Sequence, residues 1–481
     1  MRSYTLMAAA CLLIQSAALA QPQWQRTYGS SDPDAAKSVQ QTSDGGYIIA
    51  GGTYSFGAGS CDFWLVRTDS LGDTAWTRTY GGAGNDLANS VRQTADGGYV
   101  IAGYTESSGD EDGDVMLVKT DSQGRALWTR TYGGTSWDDC YSVRQTADFG
   151  YILVGLTENY GAGYTDVWVV RTDSLGDTMW TRTFGGTSFD EGHDILQTSD
   201  GGYVIAAATA SYGAGAMDGW LIKTDSAGDT LWTRVHGGAN DDRFYSVAIT
   251  ADGGYVFAGI TGSFGAGGLD FWLLKASDSG DTAWTRTYGG AADDEAWSVQ
   301  PTADGGCVAA GYTRSFGAGQ SDFWLVKADS LGDTTWSRTF GADSIDEAYA
   351  VQQTADLGYL IAGTTTSTGA GSYDAWLVKI GPEGPVPVVE PQPTAASQPV
   401  CATTIVRNVL FLPDAPLRAA YSLFSLDGRK VLDLYPGAND VSRLASGVYF
   451  TGELPAASSQ DPSPSVVSRG PAAVRRVIVA R

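Results

Sequence analysis

Apolar runs alternate with polar segments in a regular order along most of this chain. In one stretch, Tyr99 to Thr105 and Asp114 to Asp121 are largely apolar. Asn89 to Thr94 is polar, and Trp128 to Tyr132 alternates between large and polar side chains. Continuous apolar runs are typical of strands buried on both faces, and alternating runs are typical of half-exposed strands. The pattern predicts four short strands joined by tight turns, which is an antiparallel meander.

This four-strand unit recurs every 52 residues without insertion. A tryptophan marks each copy, at Trp24, Trp76, Trp128, Trp180, Trp232, Trp284 and Trp336. One unit cannot bury its own apolar face, so neighbouring units have to stack. A polar inner strand along a channel, two buried middle strands and an alternating outer strand are typical of a propeller blade. The sequence therefore predicts an all-β fold, a seven-bladed β-propeller of four-stranded antiparallel blades.

The two ends of the repeat region predict how the ring closes. The first copy opens with the sequence of a fourth strand, Trp24 to Tyr28, and the last copy ends with a third strand, Asp374 to Ile380. Gly381 to Pro385 replaces the missing fourth strand, and its prolines cannot donate to a ladder. We expect Trp24 to Tyr28 to complete the seventh blade and to cover both terminal edges.

The repeat resembles one known group of propellers more than others. WD repeats are shorter, and kelch repeats carry their paired glycines after the second strand, whereas Gly81-Gly82 follows the fourth strand here. The YIIAG and TDSxGDTxWTRTYGG segments resemble the repeats of secreted bacterial propellers, and they are loosely similar to quinoprotein-type propellers. The resemblance covers all seven copies and implies no catalytic residue.

Four segments are expected along the chain. The apolar run from Leu6 to Leu19, ending in Ala18-Leu19-Ala20, predicts a signal peptide over residues 1–20, because the run is too short for a membrane anchor. A lipoprotein cut before Cys11 is the alternative. Residues 21–380 form the predicted propeller, residues 381–399 a proline-rich linker, and residues 400–481 a small β-sandwich.

Charge and cysteine content narrow the choice of partners. The net charge of −24 disfavours nucleic acid and anionic membranes, and no later segment is long and apolar enough to span a bilayer. Cations, neutral glycans and proteins remain as partners. The cysteines after the signal peptide follow no repeated spacing and are interpreted as isolated thiols: Cys61, Cys140, Cys307 and Cys401.

The C-terminal segment carries an ordered series of motifs. They include Leu426-Asp427-Gly428-Arg429-Lys430-Val431, then Gly447-Val448-Tyr449-Phe450, then Arg475-Arg476-Val477. The series resembles the type A C-terminal sorting domain of the type IX secretion system, and its carriers here are Gly428, Arg429, Lys430, Gly447, Val448, Tyr449, Arg475 and Arg476. The resemblance implies recognition by that machinery and delivery outside a bacterial cell or onto its outer membrane. The usual Pro-Asn-Pro opening is absent and residues 455–471 are an insertion, so an appendage that stays attached is the alternative.

Three positions of the repeat are aspartate in every copy. The first row precedes the inner strand, the second lies in the turn after it, and the third begins the third strand. The rows are Asp34, Asp86, Asp138, Asp190, Asp242, Asp294 and Asp346; Asp44, Asp96, Asp148, Asp200, Asp252, Asp304 and Asp356; and Asp62, Asp114, Asp166, Asp218, Asp270, Asp322 and Asp374. The first and third rows are expected at the same end of each blade, beside a recurrent threonine. A structural network is favoured over calcium binding, because no copy has a DxDxDG loop.

A ligand site on a repeated scaffold should lie where the copies differ. The residue before the polar inner strand varies, and five consecutive copies carry Tyr141, His193, Tyr245, Trp297 and Tyr349, with Trp137 and Phe189 nearby. The acids Asp139, Glu191, Glu295 and Glu347 accompany them. Aromatic faces beside carboxylates suit sugar rings or peptide side chains. The alternative is that the rings only pack between blades.

Catalytic motifs are scarce. His193 and His236 are the only histidines, and neither a catalytic triad nor a zinc site is supported. Glu191 with Glu295 or Glu347 could supply a glycosidase acid and base. The sequence therefore predicts an exported, non-enzymatic binding or surface scaffold without a cofactor, with glycan binding or glycoside hydrolysis as the alternative.

Overall fold

The computed structural model describes residues 22–109 and 112–382, and seven strands of the C-terminal segment. The predicted signal peptide, residues 1–20, lies outside the described residues, as do nearly all of the linker and the motif residues Gly428 and Arg429. The chain divides into two compact units, Met1–Glu390 and Pro391–Arg481. No helix in the described ranges is long and apolar enough to cross a membrane.

The first unit is a seven-bladed propeller of four-stranded antiparallel sheets, as predicted. Blades 1 and 2 contain β2 (Asp34–Gln41), β3 (Tyr47–Thr53), β4 (Asp62–Thr68), β5 (Thr74–Tyr80), β6 (Asp86–Gln93), β7 (Tyr99–Thr105), β8 (Asp114–Thr120) and β9 (Ala126–Tyr132). Blades 3 and 4 contain β10 (Asp138–Gln145), β11 (Tyr151–Thr157), β12 (Asp166–Thr172), β13 (Thr178–Phe184), β14 (Asp190–Gln197), β15 (Tyr203–Thr209), β16 (Asp218–Thr224) and β17 (Thr230–His236). Blades 5 and 6 contain β18 (Asp242–Ile249), β19 (Tyr255–Thr261), β20 (Asp270–Ala276), β21 (Thr282–Tyr288), β22 (Asp294–Pro301), β23 (Cys307–Thr313), β24 (Asp322–Ala328) and β25 (Thr334–Phe340). Blade 7 contains β26 (Asp346–Gln353), β27 (Tyr359–Thr365), β28 (Asp374–Ile380) and the N-terminal strand β1 (Trp24–Tyr28).

The ring closes through the N-terminal strand. β1 pairs antiparallel with β28, with Trp24 opposite Lys379 and Tyr28 opposite Ala375. The Gln23 N–H extends this ladder by donating to the Lys379 carbonyl at 2.8 Å. The predicted closure is therefore confirmed, and the fourth strand of blade 7 covers an edge that would otherwise be exposed.

Burial follows the predicted radial order. The second and third strands of blade 1, β3 and β4, are buried along their whole length, whereas the outer strand β5 is exposed or half-buried. The inner strands begin earlier than expected from their polarity: β6 starts at Asp86 rather than Asn89, because Asp86 pairs with Thr105 of β7. The outer strand β9 likewise starts at Ala126 rather than Trp128.

The hydrophobic core lies between consecutive blades. Phe63 and Leu65 of blade 1 belong to one buried cluster with Tyr99 and Met116 of blade 2. Trp76, the marker residue of the repeat, packs edge-on against Tyr99 with 5.9 Å between ring centres. Each blade therefore completes the core of its neighbour, which is why a single repeat could not fold alone.

The C-terminal unit contains two sheets. Their strands are β29 (Thr403–Val406), β30 (Val409–Leu412), β31 (Tyr421–Ser425), β32 (Lys430–Leu434), β33 (Gly437–Asp440), β34 (Gly447–Glu453) and β35 (Arg475–Val479). One sheet has the order β29-β35-β34-β31-β32, and the other pairs β30 with β33. β29 and β30 are close in sequence but belong to different sheets. β34 and β35 pair so that Tyr449 lies opposite Val477, which places two of the C-terminal sequence motifs in one ladder.

Candidate functional site

The variable position of the inner strand is a β-bulge in every blade. In blade 1, Ala36 lies opposite Gly51 and Ser38 lies opposite Ala50, so Lys37 has no partner on β3. The same break in register occurs at Lys37, Asn89, Tyr141, His193, Tyr245, Trp297 and Tyr349. A β-bulge adds one residue to a strand and redirects side chains, and such bulges are frequent beside active sites. At Gly51 a side chain would overlap the Ala35 carbonyl, so glycine permits the close approach of the two strands.

All seven bulge residues line one cavity, the central channel, with a volume of about 600 Å³. Five of them form a continuous row of rings, called here the aromatic belt: Tyr141, His193, Tyr245, Trp297 and Tyr349. Successive ring centres are 5.2, 5.0, 4.2 and 5.5 Å apart, and Tyr245 and Trp297 are parallel to within 3°. The Lys37 ammonium lies 3.5 Å from the ring centre of Tyr349 and extends the row into blade 1. The three middle rings of the belt each contact one ring in the preceding blade and one in the following blade. The belt therefore packs between blades and also lines the cavity.

The two other predicted ligand contacts lie elsewhere. Trp137 is absent from the channel lining and packs on Tyr104, with 4.8 Å between ring centres. Phe189 is also absent from the lining, and it stacks on Tyr164 at 5.1 Å while remaining 48% exposed. Both residues precede the inner strand, in the loops between blades.

The predicted acids also separate into two groups. Asp139 and Glu191 line the channel, whereas Glu295 and Glu347 do not. Glu347 accepts a hydrogen bond from the Tyr349 hydroxyl at 2.9 Å. The carboxyl pairs considered for glycoside hydrolysis are therefore not placed together on the channel wall.

Burial controls the charge of the groups near the belt. It lowers the pKa of His193 to about 3, with Arg243 as a further cause, so the imidazole is neutral at pH 7. It also raises the pKa of Asp139 to about 7, although the Asn89 amide and the Cys140 N–H donate to the carboxylate. The pKa of Lys37 is lowered to about 8 by burial. At neutral pH His193 is therefore uncharged, Asp139 is about half ionised and Lys37 remains mostly protonated. Glu191 and Arg243 form an ion pair at 3.3 Å at the same mouth.

Farther along the inner strands, where they end, the lining changes character. This level carries Gln40, Arg92, Arg144, Leu196, Ala248, Gln300 and Gln352 at one repeat position. Arg144 forms an ion pair with Asp194 at 3.0 Å. Our sequence analysis did not single out these residues, although the departure of Arg92, Arg144 and Leu196 from glutamine is visible in the repeat.

The first and third aspartate rows meet at the same end of each blade, as predicted, with the recurrent threonine between them. In blade 2, Asp86 accepts hydrogen bonds from the Thr105 hydroxyl, from the Ser107 hydroxyl at 2.6 Å and from the Gly82 N–H at 2.9 Å. Asp62 of blade 1 accepts from the Ala58 N–H at 2.9 Å. These contacts form the structural network that was favoured. Within the described ranges no group of three or more His, Cys, Asp or Glu side chains could hold a metal, and calcium binding stays an untested prediction.

The second aspartate row forms ion pairs that the sequence analysis missed. Each member faces a buried cation near the end of the third strand: Arg67, Lys119, Arg171, Lys223, Lys275, Lys327 or Lys379. Lys327 is only 1% exposed and lies 2.7 Å from Asp304. Hydrogen bonds from the Thr250 hydroxyl and the Lys275 ammonium lower the pKa of Asp252 to about 2. The signal in the sequence is the Lys or Arg that recurs in every copy at this position.

Comparisons with known proteins give distant similarities. No family model matches the sequence. A stretch of 258 residues is 24% identical to the regulatory protein FlaEY of Caulobacter vibrioides, and the match covers 48% of this chain but only 26% of the length of FlaEY.

Solved structures with a similar fold include the extracellular domain of BT4673 from B. thetaiotaomicron, a protein assigned to the hybrid two-component systems. It is 12% identical with a TM-score of 0.42, over 96% of this chain and 60% of that one. Puromycin hydrolase is 11% identical with a TM-score of 0.47, over 89% of this chain and 60% of that one. The calcium-binding protein regucalcin from Agrobacterium tumefaciens is 10% identical with a TM-score of 0.34, over 62% of this chain and 91% of that one. These similarities assign neither a family nor an activity to this chain.

Proposed function

We propose that this chain is an exported, non-enzymatic binding protein whose ligand lies in the central channel beside the aromatic belt. The observation that carries the proposal is that the channel lining departs from the repeat while the rest of the blade is repeated. A scaffold selected only for stability would have no reason to place rings of three kinds, together with a lysine and an asparagine, at one repeat position around a cavity. A volume of about 600 Å³ falls within the range of small-ligand sites.

The chemistry of the belt favours a polar group that can both donate and accept hydrogen bonds at this mouth. His193 and protonated Asp139 can each donate or accept a hydrogen bond without carrying charge, because burial disfavours their ionised forms. Tyr141 contributes a phenol, and Trp297 contributes an indole N–H with no partner among the described residues. Sugars and peptide side chains both present hydroxyl or amide groups to such a surface. Glycan binding is therefore the nearest alternative to protein binding.

Binding at the belt can be tested with two tryptophan variants of the mature chain. Trp297→Ala should weaken ligand retention by about 1–3 kcal/mol, because it removes a ring from the cavity wall. Trp137→Ala is the matched control, since this ring lies outside the channel lining. A glycan array and capture of proteins from cell-envelope extracts would identify the class of ligand. Equal retention by both variants, or a loss explained wholly by a lower melting temperature of Trp297→Ala, would contradict the site.

We further propose that the C-terminal β-sandwich delivers the propeller through the type IX secretion machinery. The support is the resemblance of its motifs, together with the pairing of β34 and β35, which places Phe450 opposite Arg476 and Thr451 opposite Arg475. The test is the location of the native protein with and without residues 400–481. Periplasmic retention of the truncated chain would support delivery by this domain, and unchanged export would contradict it.

A further inference from the structure

Two adjacent blades place arginines at a channel position that is otherwise glutamine or apolar. Arg92 lies in blade 2 and Arg144 in blade 3, and both line the cavity. The chain as a whole carries a net charge of −24. Positive side chains concentrated inside the channel of such an acidic protein require a local explanation.

The two guanidinium groups face a single carboxylate. Arg144 pairs with Asp194, and Arg92 makes no ion pair within the described part of the chain. The Arg92 Nη1 instead donates to the Val91 carbonyl at 2.6 Å and to the Ser38 hydroxyl at 3.2 Å. One positive charge at this level of the channel therefore has no counter-charge.

Asp194 has no capacity left to serve both arginines. Its Oδ1 atom accepts from the Ser142 hydroxyl at 2.8 Å and from the Ile195 N–H at 3.0 Å, as well as from Arg144. Its Oδ2 atom accepts from the Val247 N–H at 3.2 Å and from the Ser246 hydroxyl at 3.4 Å. The carboxylate is thus occupied in tying three blades together. Burial and repulsion by Arg144 lower the pKa of Arg92 to about 9, although the charge of Asp194 opposes the shift.

An apolar wall continues from the arginines around the channel. Blades 4 and 5 carry Leu196 and Ala248 at the arginine position, followed in blade 5 by Ile249. Ile249 is 36% exposed although it is a large aliphatic residue. Arg144 reaches this wall directly, because its Nε donates to the carbonyl of Ile195 at 3.3 Å.

At this level of the channel, glutamine side chains of blades 1 and 7 accept hydrogen bonds from backbone N–H groups of a neighbouring blade. Gln40 accepts from the Gln93 N–H at 2.7 Å, and Gln352 accepts from the Gln41 N–H at 2.6 Å. The apolar wall has no side-chain amide that could form such a hydrogen bond. The cavity therefore has a cationic side, formed by the two arginines, and an apolar side, formed by Leu196, Ala248 and Ile249.

We infer that the channel selects a small amphipathic anion. Its carboxylate or phosphate group lies between Arg92 and Arg144, and its apolar part lies against Leu196, Ala248 and Ile249. Bidentate contacts from a guanidinium to an oxyanion are among the strongest hydrogen bonds in proteins, and here they would supply the missing counter-charge. The inference rests on the proposed function, in which the channel is the binding site, and adds the chemical class of the ligand.

The experiment compares matched probes on the mature full-length chain by calorimetry and by tryptophan fluorescence. Octanoate and octyl phosphate carry the two candidate anionic groups, octanol carries the same tail without charge, and acetate carries the charge without the tail. Octanoate or octyl phosphate should bind at least about tenfold more tightly than octanol, since a single charge-assisted hydrogen bond corresponds to about that factor. They should also bind at least about tenfold more tightly than acetate, since the tail buries apolar surface. The better of the two probes identifies the anionic group. Equal binding of octanol and both anions, or no binding of either anion, would overturn the inference.

Variants locate the site. Arg92→Gln should weaken binding of the anions about tenfold and leave octanol unchanged, whereas Arg92→Lys should restore part of the affinity. Arg26→Gln is the control, since Arg26 lies on β1, outside the channel lining. Anion binding that is insensitive to Arg92→Gln in a variant with an unchanged melting temperature would overturn the inference. The proposed function would survive that result, because it depends on ligand retention at Trp297.

Discussion

The contacts that hold the blades and the lining of the channel follow opposite rules. In the scaffold the same partners recur: a Trp of one blade against a Tyr of the next, and, within a blade, an Asp with a Thr and a buried cation with an exposed Asp. In the channel, the bulge position carries five residue types in the seven blades. Both regions are equally regular in backbone. The difference teaches that the repeat preserves the residues on which ring closure and packing depend. The bulge residues that line the channel vary from blade to blade.

The channel also holds groups that are unfavourable for stability. Asp139 has its ionised form disfavoured by burial, and His193 is held neutral. Arg92 lacks an ion-pair partner in the described part of the chain. Such arrangements cost free energy and cluster at functional sites. The aspartates of the first row, such as Asp86, instead accept hydrogen bonds from hydroxyl and backbone donors.

Removing the closing strand β1 should have the largest effect on stability, because ring closure depends on it. A chain that lacks residues 22–28 exposes the edge of β28 and leaves blade 7 with three strands, so we expect loss of the single cooperative unfolding transition. Urea unfolding followed by far-ultraviolet circular dichroism measures this. Removal of residues 391–481, a separate compact unit, is the control and should leave the propeller transition in place. An unchanged transition without residues 22–28 would show that closure contributes little.

Substitutions at the same repeat position in two different blades should lower the free energy of unfolding by the same amount. Asp86→Ala should lower the free energy of unfolding by about 3 kcal/mol, because the Thr105 and Ser107 hydroxyls and the Gly82 N–H lose a charged acceptor. Asp294→Ala removes the same contacts in blade 6 and should cost the same. Urea denaturation measures both variants. Clearly unequal losses would mean that the blades are not energetically equivalent.

The channel should show its own dependence on pH. The native pKa of Asp139, about 7, lies above the unfolded value, so its contribution to stability is present at low pH and is lost as pH rises through about 7. His193 acts oppositely, since its lowered pKa adds stability as pH rises from about 3 to about 6.5. Asp139→Asn should therefore gain stability relative to the wild type between about pH 4 and about pH 7, as measured by urea unfolding at each pH.

The matched control for this experiment is an aspartate of the second row, which lies in a turn outside the channel lining. Asp252 has a pKa of about 2 and stays ionised across that range, so the stability difference between Asp252→Asn and the wild type should not change with pH. A parallel pH dependence of the two variants would show that Asp139 titrates as an ordinary surface carboxyl.

The smallest effect is expected from metal removal. Because Asp62 and Asp86 already accept protein hydrogen bonds, a chelator should leave the melting temperature unchanged. Differential scanning calorimetry with and without a chelator, and with added calcium, measures this. A rise of the melting temperature in calcium that the chelator reverses would establish a calcium site and contradict the purely structural interpretation.

The repeat period and the polarity pattern were sufficient to predict the blades. A strand that is buried on both faces, on one face or on neither has a different pattern of apolar and polar residues. The 52-residue spacing of Trp24 and its repeats set the blade number. The misplaced fourth strand predicted closure with Asp374 to Ile380. These features depend on local hydrophobicity and on counting, and both are readable from one chain.

Contacts across blades were decided only in the tertiary structure. Trp137 and Tyr141 are four residues apart, yet Tyr141 lies in the channel and Trp137 packs on Tyr104, because a loop side chain can turn to either side whereas a bulge residue cannot. Three different repeats contribute Arg92, Arg144 and Asp194. Neither the ion pair between Arg144 and Asp194 nor the number of hydrogen bonds that Asp194 accepts can be predicted from the local sequence. Such a site exists only where residues roughly 50 positions apart are brought together, which propensity and periodicity do not encode.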